Sequence, residues 1–125
     1  FTVNVASEDR VREVDFFGLV SGANADKFTA AGLTPVRAGS VDAPGIEEFP
    51  LVLECRLLNT LDLGTHTQFV GEVLDVRADE SVLDTDGLPD VARLRPLLYA
   101  PGQMAYFSTG PFLASAFEVG KGLGG

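Results

Sequence analysis

His66 is the only histidine in the 125-residue chain, and it is a candidate for a functional residue. It stands between Thr65 and Thr67 in the stretch GTHTQF, residues 64–69, just past the turn glycine Gly64. An imidazole titrates near neutral pH and can donate or accept a hydrogen bond, which suits a residue that contacts a cofactor. The alternative is a polar residue at a strand end that bonds a neighbouring loop.

Patterns that supply other catalytic chemistry are absent from the sequence. The stretch GLVSG lacks the GxSxG turn of serine hydrolases. The stretch GKGLGG has glycines like those of a dinucleotide-binding fold, but no strand precedes it and no helix follows it. Acidic pairs such as Glu47–Glu48 are typical of solvated loops in so acidic a chain. Because one cysteine and one histidine cannot form the usual zinc ligand sets, no metal site is predicted.

The strongest structural pattern surrounds His66. Apolar and polar residues alternate along LVLECRLLNTLDL, residues 51–63, and along HTQFVGEVLDVRA, residues 66–78, with the turn DLGT between them. This alternation predicts a long β-hairpin with both faces partly covered. Gly71 lies inside the second strand, where a glycine indicates a bulge or a close backbone approach.

Shorter elements are predicted before the hairpin. FTVNV, residues 1–5, alternates like a half-buried strand. A helix is expected at about residues 8–18, with Ser7 as its N-cap. Residues 33–50 are rich in proline and glycine, so only short extended pieces are expected there.

Further short elements complete the pattern. A second helix is expected at residues 25–31, capped by Asn24 and closed by Gly32. PDVARLRP predicts a short helix and LLYA a short strand, whereas the following PGQMAYFSTGPFLASAF is mixed in type. Residues 120–125 are expected to form a flexible tail.

The amino-acid composition limits the classes of binding partner and indicates the cellular compartment. The chain carries 18 acidic and nine basic residues, a net charge of −9 that repels nucleic acid and anionic lipid. No apolar run approaches the roughly 18 residues needed to span a bilayer. The single cysteine, Cys55, excludes an internal disulfide and favours a reducing compartment, so a single cytoplasmic domain is expected.

Three stretches, in order, carry a resemblance to a known family. They are FTVNVASEDRVREVDFFGLVSGANADKFTAAGLTPV, EEFPLVLECRLLNTLDLGTHTQFVGEVLDVRADE and GLPDVARLRPLLYAPGQMAYFSTG. They closely resemble flavoredoxin-type members of the flavin reductase family, and SG…DKF and LGTHTQFVGEV are the most specific pieces. The resemblance implies a mostly β fold with short helices, an antiparallel FMN-binding split barrel. It also implies a homodimer, with the flavin at or near the subunit interface.

The family pattern implies which residues contact the cofactor. His66, as the catalytic residue, is expected to face the flavin and the approach of NAD(P)H. Lys27 would offset part of the roughly two negative charges that FMN brings to an already acidic protein. Contacts with FMN are expected from Ser21, Gly22, Lys27, Phe28, Thr65, His66 and Tyr106.

Each expected contact has a plainer alternative. Lys27 would otherwise be an exposed lysine paired with an acidic neighbour, Phe28 a core anchor and Tyr106 a packing residue. Ser21 and Gly22 would otherwise form a plain inter-helix turn, and the threonine before the histidine would only favour the strand.

The chain resembles only the later two-thirds of a family domain. The front part of the family domain would carry the first barrel strands and the S/R-x-x-T-type loop for the flavin phosphate. Without that part we expect exposed sheet edges and a reduced core. Three functions stay open. They are an FMN-dependent oxidoreductase of the flavin reductase type, a non-catalytic carrier that passes electrons to a redox partner protein, and a binding-only module without its cofactor.

Overall fold

The computed structural model describes residues 1–123. The chain is mostly antiparallel β structure with short helices, as predicted from the sequence. The strands are β1 (Thr2–Val5), β2 (Pro35–Arg37), β3 (Pro44–Ile46), β4 (Leu51–Asp62), β5 (Thr67–Ala78), β6 (Leu97–Ala100) and β7 (Ala105–Ser108). The helices are α1 (Val11–Leu19), α2 (Lys27–Ala31) and α3 (Val91–Leu94).

The main sheet has the strand order β1-β4-β5, and all of its pairings are antiparallel. Phe1 continues the pairing of β1, because its ammonium donates to the Cys55 carbonyl at 2.9 Å and its own carbonyl accepts from the Cys55 amide at 2.8 Å. Beyond this point β4 and β5 pair with each other alone, up to Asp62 and Thr67. We name this projecting part of the hairpin, residues 56–73, the arm.

The predicted irregularity at Gly71 is confirmed. The β4–β5 register shifts between Leu57, which faces Gly71, and Asn59. The ring of Phe1 lies over the glycine, where a β-carbon would come within 2.5 Å of the Phe1 Cζ. The missing side chain therefore makes room for the aromatic ring at the start of the sheet.

Two predicted helix caps are wrong. Ser7 makes no capping hydrogen bond, because a 3₁₀ turn over Glu8–Arg10 precedes α1. Asn24 lies in a separate turn, and Asp26 caps α2 by accepting from the amides of the second and third helical residues. The predicted closure of α2 at Gly32 is confirmed, with φ at 65° in the left-handed region.

The core is small and lies between α1, α2 and the loop before β4. Its buried cluster consists of Ala6, Leu33, Ile46 and Phe49, against which Val14, Phe17 and Phe28 pack. The expectation that both hairpin faces are partly covered is wrong for the arm, because residues 56–77 are all exposed. The reduced core and the uncovered sheet agree with the expectation for the chain alone.

The remaining elements stay short. The longest described helix has nine residues, far fewer than a bilayer-spanning helix needs. Strand β7, which pairs with β6 from Ala100 opposite Ala105 to Leu97 opposite Ser108, was not predicted. Of the predicted tail, residues 120–123 form a hydrogen-bonded turn, and residues 124–125 lie outside the described residues.

Candidate functional site

Lys27 lies at the start of α2 and points back to the end of α1. Its Nζ donates to the Phe17 carbonyl at 2.7 Å and lies 5.6 Å from the centre of the Phe17 ring. That carbonyl belongs to the last turn of α1, where carbonyl groups lack partners within the helix and a cation is favoured. Asp26 fixes the start of α2 and thereby the position of the lysine. The lysine does not pair with Asp26 or Glu13, the partners that the alternative interpretation suggested.

Ser21 and Gly22 lie beside the lysine. The Ser21 Oγ accepts from the amide of Ala23 at 3.3 Å, which closes a short turn. A β-carbon placed on Gly22 would meet the Lys27 Cε at 3.9 Å and nothing nearer. We name Ser21, Gly22 and Lys27 the α1–α2 junction. It combines an ammonium, an exposed hydroxyl and an open space along the backbone.

Phe28, the residue after Lys27, packs against the core. Its ring meets that of Phe17 edge to face, with centres 6.0 Å apart. Both rings line an apolar cavity of about 500 Å³. The other apolar residues of its lining include Phe1, Val14, Ile46 and Phe49. In this arrangement Phe28 has the packing role that the sequence left as its alternative.

Tyr106 connects the β6–β7 hairpin to α1. Its hydroxyl donates to the Asp15 Oδ1 at 3.2 Å, and its ring lies 5.1 Å from that of Tyr99. Partial burial raises the pKa of Tyr106, and the hydrogen bond to Asp15 adds to this increase. Asp15 was missed as a partner because 91 residues separate it from Tyr106, and no local pattern signals such a pair.

Thr65 and His66 lie at the tip of the arm. The Thr65 Oγ1 is 2.9 Å from the His66 Nδ1, and the Leu63 amide donates to the His66 carbonyl at 2.9 Å. Both residues are exposed. Because β4 continues for seven residues after Cys55, the tip lies roughly 20 Å beyond the start of β1 at Phe1 and Thr2.

The structure thus divides the predicted site residues into two groups. The α1–α2 junction and Phe28 are neighbours beside the end of α1, and Tyr106 contacts α1 through Asp15. Over residues 1–123, no hydrogen bond or ion pair links the arm tip to these residues. Within one chain, therefore, the Lys27 ammonium and the His66 imidazole lie in separate places.

The comparisons with known proteins agree with this fold. The family model of the flavin reductase like domain matches residues 1–108. Flavoredoxin of Desulfovibrio vulgaris (Miyazaki F) is 46% identical, with a TM-score of 0.91, over 97% of this chain and 64% of that one. Flavoredoxin from Methanosarcina acetivorans is 33% identical, with a TM-score of 0.88, over 98% of this chain and 64% of that one.

A more distant likeness concerns the fold alone. A Shewanella frigidimarina protein with a split barrel domain is 23% identical, with a TM-score of 0.76, over 93% of this chain and 59% of that one. The chain spans about half the length of the curated relatives that it matches. Its sheets, its short helices and the match over most of its residues confirm the predicted resemblance: the chain belongs to the flavin reductase like domain family.

Proposed function

We propose that this chain is part of an FMN-binding oxidoreductase of the flavin reductase type, with NAD(P)H as the electron donor. The observation that carries the proposal is the α1–α2 junction, where the Lys27 ammonium borders the open space at Gly22. Membership of the family and the likeness to two flavoredoxins support a flavin as the bound group.

The junction fits the anionic end of FMN. An ammonium has three donor hydrogens, and the Phe17 carbonyl takes one of them, so donors remain for a phosphate. The exposed Ser21 hydroxyl can donate as well, and the absence of a side chain at Gly22 lets a ligand approach the backbone. When bound, FMN would supply the redox chemistry, since a flavin accepts a hydride and stores two electrons. The chain's own residues would bind and orient it.

We further propose that the protein is a homodimer in which the arm reaches the partner. The arm exposes large apolar side chains along its whole length, which a monomeric protein rarely does. Among them are Leu57, Leu58, Leu61, Phe69, Val70 and Val73. A second copy that covers this arm would also contribute the tip of its own arm, with Thr65 and His66. That tip would lie at the α1–α2 junction of the first chain, which lacks an imidazole of its own.

The first experiment tests cofactor binding and donor use in the full-length protein. We expect a yellow preparation with flavin absorption bands that oxidises NADH or NADPH. A colourless preparation that neither retains added FMN nor oxidises either nucleotide would contradict the proposal.

A mixing experiment tests whether one site combines two chains. In a homodimer of Lys27→Met, every site has a damaged α1–α2 junction. In a homodimer of His66→Ala, every site has a damaged arm tip. If the halves come from different chains, unfolding and refolding the two variants together restores about a quarter of the sites, because half of the dimers are mixed and each holds one intact site. If both halves come from the same chain, mixing restores no activity.

The alternative function is a non-catalytic electron carrier, which the 46% identity with a flavoredoxin favours. In that case FMN stays bound and exchanges electrons with a redox partner protein. The net charge of −9 would speed association with a basic partner, at rates that fall as salt rises. Stopped-flow reduction distinguishes the two functions. A reductase is reduced quickly by NADH, whereas a carrier is reduced quickly by its partner and slowly by the nucleotide.

We place both functions in the cytoplasm. Cys55 is a buried free thiol, which a reducing compartment preserves.

A further inference from the structure

The turn at the arm tip holds the backbone of His66 in place. It connects Asp62, the last residue of β4, to Thr67, the first residue of β5, and these two residues pair with each other. The Asp62 Oδ1 accepts from the Gly64 amide at 2.8 Å, and Gly64 has a φ of 83°, which glycine adopts readily. The Leu63 amide donates to the His66 carbonyl at 2.9 Å. The backbone of His66 is therefore fixed, and contacts of the side chain decide what the imidazole presents.

The side-chain contact of the imidazole is the hydroxyl of Thr65. Its Oγ1 lies 2.9 Å from the His66 Nδ1. Over residues 1–123, neither the hydroxyl nor the ring makes another hydrogen bond. The other ring nitrogen, Nε2, is therefore the one that can bond a molecule from outside the chain.

The kind of group at Nδ1 decides which nitrogen carries the proton of the neutral ring. A neutral imidazole has one N–H donor and one acceptor nitrogen, and the bond at one nitrogen selects the state of the other. A carbonyl or carboxylate at Nδ1 would require the proton there, but a hydroxyl can donate and leave Nδ1 unprotonated. The carboxylate of this turn, that of Asp62, bonds the Gly64 amide instead. A free neutral histidine also favours the proton on Nε2, so a donating hydroxyl reinforces the preference of the ring itself.

We propose that Thr65 is a positioning residue, whose hydroxyl donates to the His66 Nδ1 and keeps the proton of the neutral ring on Nε2. The arm tip then presents an N–H donor to an acceptor oxygen of the bound molecule, either a carbonyl of the flavin ring or the carboxamide oxygen of a nicotinamide. His66 acts as a hydrogen-bond donor and does not accept a proton from the ligand through Nε2. The contact with the ligand rests on the proposed function, whereas the position of the proton does not.

Nitrogen NMR of the full-length protein, labelled with ¹⁵N-histidine, tests where the proton lies. Protonated and unprotonated ring nitrogens have well-separated chemical shifts, and the signals of His66 are those that disappear in His66→Ala. In the pH range where the signals show a neutral ring, we expect a protonated Nε2 and an unprotonated Nδ1. A neutral ring that carries its proton on Nδ1 would overturn the proposal. The reading does not require FMN, so it stays valid if the protein binds no flavin.

Three variants test whether the hydroxyl of Thr65 is the cause. Thr65→Val keeps the branched shape but removes the hydroxyl, so the ratio of the Nε2–H form to the Nδ1–H form should fall about threefold, as expected for the loss of one exposed hydrogen bond. Thr65→Ser keeps the hydroxyl and should keep the ratio of the unaltered protein. Thr67→Val is the matched control, because it makes the same change on the other side of His66, and it should leave the ratio unchanged. Equal ratios in Thr65→Val and Thr67→Val would overturn the role of the hydroxyl.

Stopped-flow reduction of the flavin by NADH then tests the role in the site. Thr65→Val should slow reduction by a factor similar to its loss of the Nε2–H form, Thr65→Ser should restore the rate, and Thr67→Val should not change it. A Thr65→Val protein with an altered proton position but an unaltered rate would overturn the positioning role. A protein that holds no FMN would contradict the proposed function and leave the NMR result intact. Because the spectrum of the unaltered protein already locates the proton, the proposal remains testable if a variant does not fold.

Discussion

The Lys27 Nζ lies 2.7 Å from the carbonyl oxygen of Phe17 and joins the start of one short helix to the end of another. The bond gives the ammonium a structural partner at the α1 C-terminus while leaving two of its hydrogens free. Its position is therefore set before any ligand arrives. A charge held in place binds an anion with less loss of side-chain freedom than a mobile one.

Lys27→Met should weaken FMN binding on the order of tenfold, because a charge-assisted bond to the phosphate is lost. Loss of the cation at the end of α1 should also lower stability by about 0.3–1 kcal/mol. Titration of the apoprotein with FMN at low and high salt measures the first effect, and urea unfolding measures the second. Lys121→Met is the control, since Lys121 pairs with Glu118 in the tail. Equal FMN affinities in the two variants would remove Lys27 from the site.

Gly22→Ala should weaken FMN binding several-fold without loss of stability. The new methyl group would occupy the space beside the lysine, at an ordinary contact distance of 3.9 Å from its Cε. Gly18→Ala is the matched control. Nothing lies within 4 Å of a β-carbon there, and because Gly18 is the penultimate residue of α1, alanine should stabilise the chain by less than the about 0.5–1 kcal/mol typical of a mid-helix position. Isothermal titration with FMN compares the two variants, and an unchanged affinity in Gly22→Ala would show that this space is not used.

The sequence predicted those features that depend on neighbours along the chain. Alternation along residues 51–78 predicted the hairpin, and Gly71 marked the place where a ring approaches the backbone. The family resemblance, rather than a local pattern, grouped Ser21, Gly22 and Lys27 as expected FMN contacts, and the structure places the Lys27 side chain beside Gly22.

Features that depend on distant residues could not be predicted in this way. The hydrogen bond from Tyr106 to Asp15 joins two segments that share no sequence pattern, and so do the bonds that Glu54 accepts from the amides of Gly39 and Ser40. The cap of α2 moved from Asn24 to Asp26 because two competent residues lie two positions apart, and local propensity does not distinguish them. The alternation of apolar and polar residues along the arm predicted that its apolar side chains are partly buried, but in a single chain they are exposed.

Glu54 should make stability depend on pH in the acid range. The bonds from the Ser40 and Gly39 amides, helped by Arg77, hold the pKa of this carboxyl below its ordinary value of 4.5. A lowered pKa means that the native state favours the charged form. The stabilisation is thus complete above pH 4.5 and disappears as the pH falls through the lower, native value.

Urea unfolding from pH 7 down to the acid limit measures this dependence. In Glu54→Gln the decrease of the unfolding free energy below pH 4.5 should be smaller than in the unaltered protein. Some decrease should remain, because hydrogen bonds also lower the pKa values of Asp26 and Glu48. Glu47→Gln makes the same change on an exposed side chain next to Glu48 and serves as the matched control for Glu54→Gln. Parallel profiles for Glu54→Gln and the unaltered protein would contradict the role of the buried carboxylate.

Phe69→Lys should separate the proposed dimer into monomers. The Phe69 side chain is 60% exposed on the arm of a single chain, so a second copy that covers the arm would bury it, and a lysine there would place a charge in an apolar interface. Met104→Lys makes the same kind of change at an 83% exposed residue in the turn between β6 and β7, which is not part of the arm. Sedimentation velocity over a concentration series should show a dimer for Met104→Lys and a monomer for Phe69→Lys. Because the proposed site needs the arm tip of the partner, FMN affinity should fall together with dimerisation. A Phe69→Lys protein that stays dimeric would show that the arm is covered by something other than a second copy.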